Sequence, residues 1–297
     1  MAKKPKDDSV GPWAKEKLGA LGQYLNFYTT ALKNQSRWLR GTVYIDAFAG
    51  SGFYRVRTRD VSPAVPDILA AESETDSAVV EYLKGSPRVA LDIANPFSSY
   101  LFIEHDAERI ADLRALRDAY QSSRNVEIHE GDANEALNTW LARGIDWRHH
   151  RALVFLDPFG MQVPWSTIDA LAKTGAIEII VNFPLGMAIQ RLLTRSGEIP
   201  EGWQVSLDSF FGSGEWRSIV YQTDTGLFGE YTVKVSDAGA RLLEWYRSRL
   251  RQTFGNVSTA RLIRNTRGGP LYYLIWAGPH RLGLVGAEHV LGKGERS

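Results

Sequence analysis

Five polar residues stand at or just past the ends of short apolar runs: Asp46, Glu104, Asp132, Asp157 and Asn182. After the first interval their separations are 28, 25 and 25 residues, each close to the length of one strand–helix unit. In an open parallel sheet such ends line one edge, and ligands bind there, where the strand order reverses. Carboxylates accept hydrogen bonds and donate none, so three of them along that edge suit a ligand with ribose hydroxyls and an exocyclic amine. The segment Asp46-Ala-Phe48-Ala-Gly50-Ser-Gly52 follows the first run, and its glycines allow close backbone approach. A dinucleotide-phosphate site would need a third glycine, a helix directly after the turn and an acidic residue about 20 positions on. Here Phe53-Tyr-Arg-Val-Arg-Thr-Arg59 follows instead, and Glu104 lies 58 residues beyond Asp46, which disfavours a nicotinamide cofactor. Asp157-Pro158 alone is a turn starter and Phe159 alone a packing residue; in series with the other strand ends the three read as reactive-site residues.

The elements that must position these residues alternate. Leu18, Leu21, Leu25, Tyr28 and Leu32 recur at helical spacing, predicting an amphipathic helix over 13–40. Strands are expected at 42–45, 99–104, 125–129, 151–156 and 176–181, with helices at 86–93, 106–120, 133–143 and 165–173 between them. A helix at 237–252 precedes two β-rich runs, 257–263 and 270–277, joined through Asn265-Thr-Arg-Gly-Gly269 as an antiparallel hairpin. Stretches 53–85 and 196–235 interrupt the alternation and read as insertions. In the second, Trp203, Phe210, Phe211 and Trp216 read as the small core of a lid. The pattern predicts one α/β domain over residues 1–297, with a doubly wound, mostly parallel sheet.

Composition narrows the chemistry. The chain has 297 residues, 44% apolar and 23% charged, with a formal charge of +1, which excludes fibres and disorder. Zero cysteines exclude disulfides, thiolate metal sites and cysteine nucleophiles of its own. His149-His150 has no ligand partners at metal spacing, so no metal site is expected. The N-terminal segment has no apolar core of a leader and no run is long enough to span a bilayer, which predicts a cytoplasmic protein without a membrane partner. From Asp237 to Arg281 there are eight arginines and no lysine against Asp237 and Glu244, a local charge of +6 that suits phosphate contacts or a solvated face.

DAFAGSG (46–52), FIEHD (102–106), EGDA (130–133) and LDPFG (156–160) together resemble the successive motifs of class I S-adenosylmethionine methyltransferases. The Phe-x-Gly-x-Gly form and the Asp-Pro start of the fourth motif are similar to enzymes that methylate amino nitrogens of bases. A wider resemblance adds the leading helix, LKGSPRVAL (83–91), LDPFGMQVPWSTIDAL (156–171), VNFPLGM (181–187), FFGSGEW (210–216) and GGPLYYLIWA (268–277). These resemble the three-Cys-motif partner family, named for a neighbouring cysteine-motif protein of radical S-adenosylmethionine type.

The resemblance implies a Rossmann-like class I methyltransferase fold: a seven-stranded, mostly parallel sheet with a C-terminal antiparallel hairpin and two insertions. It implies S-adenosyl-L-methionine as cofactor. Gly50 and Gly52, with Phe48, would bracket the methionine moiety, and Asp46 would hold its amino-acid end. Glu104, with His105 beside it, would accept the ribose hydroxyls, and Asp132 and Ala133 would meet the adenine. Asp157 and the Pro158 carbonyl would accept N–H groups of the methyl acceptor, with Phe159 stacking on a flipped base. Asn182-Phe-Pro184 has the Asn-x-Pro form of some nucleic-acid methyltransferases but falls one strand late and reads as a strand-end turn. The implied activity is N-methylation of a nucleic-acid base, RNA ahead of DNA. The alternatives are a methyltransferase of small molecules or peptides, and a cofactor-binding partner of a cysteine-motif protein without turnover of its own.

Overall fold

The structure is a computed structural model that describes residues 13–56, 81–227 and 229–294. Residues 57–80, most of the expected first insertion, lie outside the described residues. Helix α1 (Trp13–Leu32) buries Ala14, Lys17, Leu18, Leu21, Tyr24, Leu25 and Tyr28. It stops short of residue 40 because its apolar stripe ends at Leu32. Lys33-Asn34-Gln35-Ser36-Arg37 has no face to bury, and Asn and Ser favour turns.

Strand β1 (Gly41–Asp46) leads into a hairpin of β2 (Phe53–Val56) and β3 (Glu81–Lys84). Then come α2 (Ser86–Leu91), β4 (Ser99–Glu104), α3 (Ala107–Tyr120), β5 (Val126–Glu130), α4 (Ala133–Leu141), β6 (His150–Leu156), α5 (Trp165–Ala172) and β7 (Ile177–Phe183). A π-helical turn (Leu185–Ile189) runs into α6 (Gln190–Leu192), followed by α7 (Glu201–Phe211), α8 (Trp216–Val220) and a hairpin of β8 (Tyr221–Gly226) and β9 (Gly229–Lys234). The chain continues through α9 (Ala238–Phe254), β10 (Asn256–Val257), β11 (Arg261–Arg264) and β12 (Pro270–Gly278) to α10 (Arg281–Leu291), a helix the sequence pattern does not predict.

The central sheet runs β5-β4-β1-β6-β7-β12, with β12 antiparallel to β7 and the other pairs parallel. Both β10 and β11 pair with β12 at residues whose other edge faces β7, so they form a single track interrupted at 258–260. Eight strands thus occupy seven tracks, a Rossmann-like α/β sheet closed by an antiparallel strand pair. The interruption has a local cause: Ser258 Oγ accepts from the Trp276 amide at 3.0 Å, taking the place of a backbone carbonyl in the ladder.

Alternate residues face opposite layers. Val43, Ile45, Leu101, Ile103, Val154 and Leu156 pack with α4, α5, α7 and α9; Tyr44, Tyr100, Phe102, Leu153 and Phe155 pack with α1, α2, α3 and α10. With both faces covered, the strands read as continuous apolar runs. A buried polar knot ties α1 to β7 and β12: Tyr24 Oη donates to Glu178 at 2.6 Å and Trp276 Nε1 to the same oxygen at 3.1 Å. Burial pushes the Glu178 carboxyl up to about 7.

The second insertion is not a self-contained lid. Phe210 stacks on Tyr246 of α9 at 5.5 Å, Phe183 of β7 lies 6.0 Å from Phe210, and Phe211 and Trp216 are wholly buried in the same core. The aromatic end of β7 and the apolar side of α9 leave a groove that α7 fills. Trp203, in the first turn of α7, is 42% exposed.

Candidate active site

From β1 the chain moves outward through β4 and β5, returns to the other side of β1 at β6, and moves outward again to β7. The order therefore reverses between β1 and β6, the place where open α/β sheets bind ligands. A cavity of about 500 Å³ opens there at the carboxyl ends of the strands, within the size range of small-ligand sites. Its walls include Phe48, Gly50, Glu104, His105, Asp132, Ala133, Asp157, Pro158 and Phe159. Of the expected site residues only Asp46 and Gly52 are not part of that lining. A second cavity, of about 370 Å³, lies at the opposite edge near Tyr100, Asn125 and His150, away from the reversal point.

Glu104, 6% exposed, pins the glycine turn. Its Oε2 accepts the Gly50 amide at 2.9 Å, and its Oε1 accepts the amides of His105 and Asp106, each at 2.9 Å. Gly50 has φ 64°, a conformation that a side chain disfavours. Gly52, with φ 78°, faces away from the cavity: a Cβ there would meet Leu116 of α3 at 2.8 Å, and its carbonyl accepts the Gly85 amide at 2.8 Å. Its place is the junction of the turn with α2 and α3, outside the cavity lining.

Asp46 is fully buried. Tyr44 Oη donates to its Oδ2 at 3.2 Å, while Oδ1 has no partner among the described residues. Burial is the largest cause that pushes its carboxyl up to about 7, and the nearby Asp157 adds to the shift; hydrogen bonds from Ser86 and Tyr44 oppose it. Asp132 caps α4: its Oδ1 accepts the amides of Asn134 at 2.8 Å and Glu135 at 3.1 Å. The sequence carries that signal, since Asp132 followed by Glu135 has the spacing of a capping box. Among the described residues no donor reaches the other oxygen of Asp132, Oδ2. His105 is largely exposed, with Nδ1 3.2 Å from Glu104 Oε1.

Asp157 enters the site with two donors on it. Lys17 of α1 binds its Oδ2, and Asn182 Nδ2 donates to its Oδ1 at 2.9 Å. Lys17, 5% exposed, lies 5.6 Å from the Trp13 ring centre and 5.5 Å from that of Tyr272, so two aromatic faces flank its ammonium. Sequence reasoning missed Lys17. Its signal is a cation on the same helix face as Ala14, Leu21, Tyr24 and Tyr28. Asn182, which the sequence reads as part of a turn, lies within β7, lines the cavity and is 3% exposed, with Oδ1 unpartnered among the described residues. Pro158 is buried, whereas Phe159 is 75% exposed and its amide donates to Gln162 Oε1 at 2.8 Å. The π-helical turn brings Met187 to the far wall. Its Gly186 passes so close to β12 that a Cβ would fall 2.0 Å from the Pro270 carbonyl oxygen.

The arginine-rich segment does not present all its charges outward. Arg247 donates to the Ser258 carbonyl, Arg249 lies 4.0 Å from the Trp165 ring centre, and Arg261 binds Glu16 at 2.8 Å and the Val290 carbonyl at 3.1 Å. Arg241, Arg251, Arg267 and Arg281 are exposed. His149 binds Asp146 at 2.7 Å, and among the described residues no group of His, Asp and Glu forms a metal site. Among those residues no helix is long and apolar enough to cross a membrane.

No family model matches the sequence, and no curated protein matches it. Among solved structures, protein LPL1258 from Legionella pneumophila is 14% identical with a TM-score of 0.47, covering 94% of each chain. A putative O-methyltransferase from Klebsiella pneumoniae is 13% identical with a TM-score of 0.38, covering 94% of this chain and 92% of the other. The putative methyltransferase yhhF from Escherichia coli is 12% identical with a TM-score of 0.29, covering 70% of this chain and 85% of the other. At these values the α/β fold rests on the strand order described above.

Proposed function

We propose that this protein is an S-adenosylmethionine-dependent N-methyltransferase that modifies an amino nitrogen of a nucleic-acid base, RNA ahead of DNA. The observation that carries this is the division of the cavity along the sheet. Glu104 and Asp132 stand at the ends of β4 and β5, while Asp157, Pro158 and Phe159 stand past β6 on the other side of β1. The first pair suits an adenosine: Glu104 Oε2 and Asp132 Oδ2 each keep lone pairs for hydroxyl and amine donors. The Oδ1 of Asp46, buried outside the cavity lining, would meet the cofactor's ammonium group through water. Gly50 lets the backbone approach the methionine portion.

S-adenosylmethionine, when bound, supplies an electrophilic methyl group on a sulfonium. The chain's own part is positioning: Phe159 offers an exposed aromatic face to a base, Pro158 a rigid strand end, and the Lys17–Asp157–Asn182 group a set of fixed dipoles. Holding an acceptor in line with a methyl group removes much of the entropy cost of the encounter. The internal engagement of Arg247, Arg249 and Arg261 favours a second reading, methylation of a small molecule that needs no broad basic face. The resemblance to the three-Cys-motif partner family supports a cysteine-motif protein as a partner.

The test is incubation with methyl-labelled cofactor and separate extracts of RNA, DNA and small metabolites, with and without such a partner. Label in RNA supports the proposal, whereas label in metabolites alone replaces it with the second reading. Cofactor binding without label in any extract, partner present, overturns the catalytic assignment.

A further inference from the structure

We infer that the group orienting the methyl-accepting amine is the side-chain carbonyl of Asn182, held in place by Asp157 and Lys17; this rests on the methyltransferase reading above. Asn182, next to last in β7, lines the cavity and is 3% exposed. Its Nδ2 donates to Asp157 Oδ1 at 2.9 Å. A carboxylate only accepts, so the amide nitrogen must face Asp157 and the orientation of the amide follows from chemistry. Its Oδ1 is thereby an acceptor, buried and without a partner among the described residues. Buried carbonyls are nearly always satisfied, and a ligand N–H at this point would satisfy it.

Asp157 differs in that each of its oxygens already carries a protein donor. Its Oδ1 holds Asn182 and its Oδ2 holds Lys17, whose ammonium is flanked by Trp13 and Tyr272. The ammonium, carboxylate and amide form a chain in which each member fixes the next, so Lys17 and Asp157 are positioning residues and Asn182 is the group that touches the ligand. The sheet order sets which ligand atom it meets. From β4 to β7 is three tracks, roughly 14 Å at about 4.8 Å per track. Asn182 therefore stands far from Glu104, on the side of the cavity left for the methyl acceptor. An amide oxygen only accepts, so it turns an N–H toward itself and the nitrogen lone pair toward the methyl group.

The test uses binding alone. S-adenosylhomocysteine lacks the transferred methyl group, and sinefungin carries an amine in its place, so the ratio of their affinities reports an N–H acceptor at the methyl position. The wild type is expected to bind sinefungin at least about ten-fold more tightly, the scale of one hydrogen bond to a charged donor. Asn182→Leu and Asn182→Ser are expected to keep S-adenosylhomocysteine affinity within about two-fold and to lose most of the sinefungin advantage. Lys17→Met should reduce that advantage in part. Equal affinities in the wild type, an undiminished advantage in both Asn182 variants, or loss of S-adenosylhomocysteine binding in both would overturn the assignment while leaving the methyltransferase reading standing. Failure of the wild type to bind either analogue would overturn both.

Discussion

Replacing Glu104 by glutamine separates two roles that meet in one side chain. The carboxylate accepts three backbone amides, those of Gly50, His105 and Asp106, each at 2.9 Å. A glutamine fits the same space but cannot serve all three. Its best orientation keeps the oxygen on His105 and Asp106 and turns the amide NH2 against the Gly50 N–H. One nearly buried donor is then unmet, at a cost of about 1–3 kcal/mol, and the two remaining bonds fall from charge-assisted to neutral strength, about 0.5–1 kcal/mol each. Together these predict that Glu104→Gln lowers unfolding stability by roughly 2–5 kcal/mol with no ligand present. For a chain of this size, with a urea slope near 3 kcal/mol/M, the midpoint should fall by about 1 M. Urea denaturation followed by circular dichroism, beside calorimetry with S-adenosylhomocysteine, reads both roles. An unchanged midpoint would refute the pinning of the glycine turn. A lowered midpoint with unchanged affinity would remove Glu104 from the ligand set.

Glu178 and Asp46 both have folded-state carboxyls near 7, above their ordinary values. Their neutral forms are thus favoured by folding, a contribution fully present below about pH 4 and lost as pH rises through 7. Thermal melts across pH 5–8 should show that loss, roughly 3 kcal/mol per carboxyl, and Glu178→Gln should flatten its share; a rise in stability over this window would contradict the burial argument. Gly186→Ala puts a methyl group against the Pro270 carbonyl oxygen, so a loss of about 1–3 kcal/mol or more is expected in thermal denaturation. Arg261→Ala should cost about 1–2 kcal/mol because it frees Glu16 and the Val290 carbonyl, whereas Arg267→Ala should be within about 0.5 kcal/mol and weaken only salt-dependent retention on RNA. Retention of wild-type protein on RNA that is indifferent to salt would count against the nucleic-acid substrate.

The alternation of strands and helices, the ends of β4 and β6, and the hairpin after α9 are legible in the amino-acid order. A parallel strand covered on both faces is an apolar run, and the first polar residue marks where it emerges. That same rule places Glu104, Asp132 and Asp157 on one edge from the amino-acid order alone. Other features depend on partners remote in the chain. Lys17 and Asp157 are 140 residues apart, and only the packing of α1 across the carboxyl edge makes them a pair. Asn182 has the spacing of a turn residue, and the side-by-side register of β6 and β7 turns it into a cavity wall. Gly52 shares a motif with Gly50, yet the crossing of α3 directs it away from the cavity. Local spacing encodes the period of each element and where it ends. Which strands become neighbours, and so which charges meet, is decided when apolar faces are buried against one another, because that burial joins residues without regard to their distance along the chain.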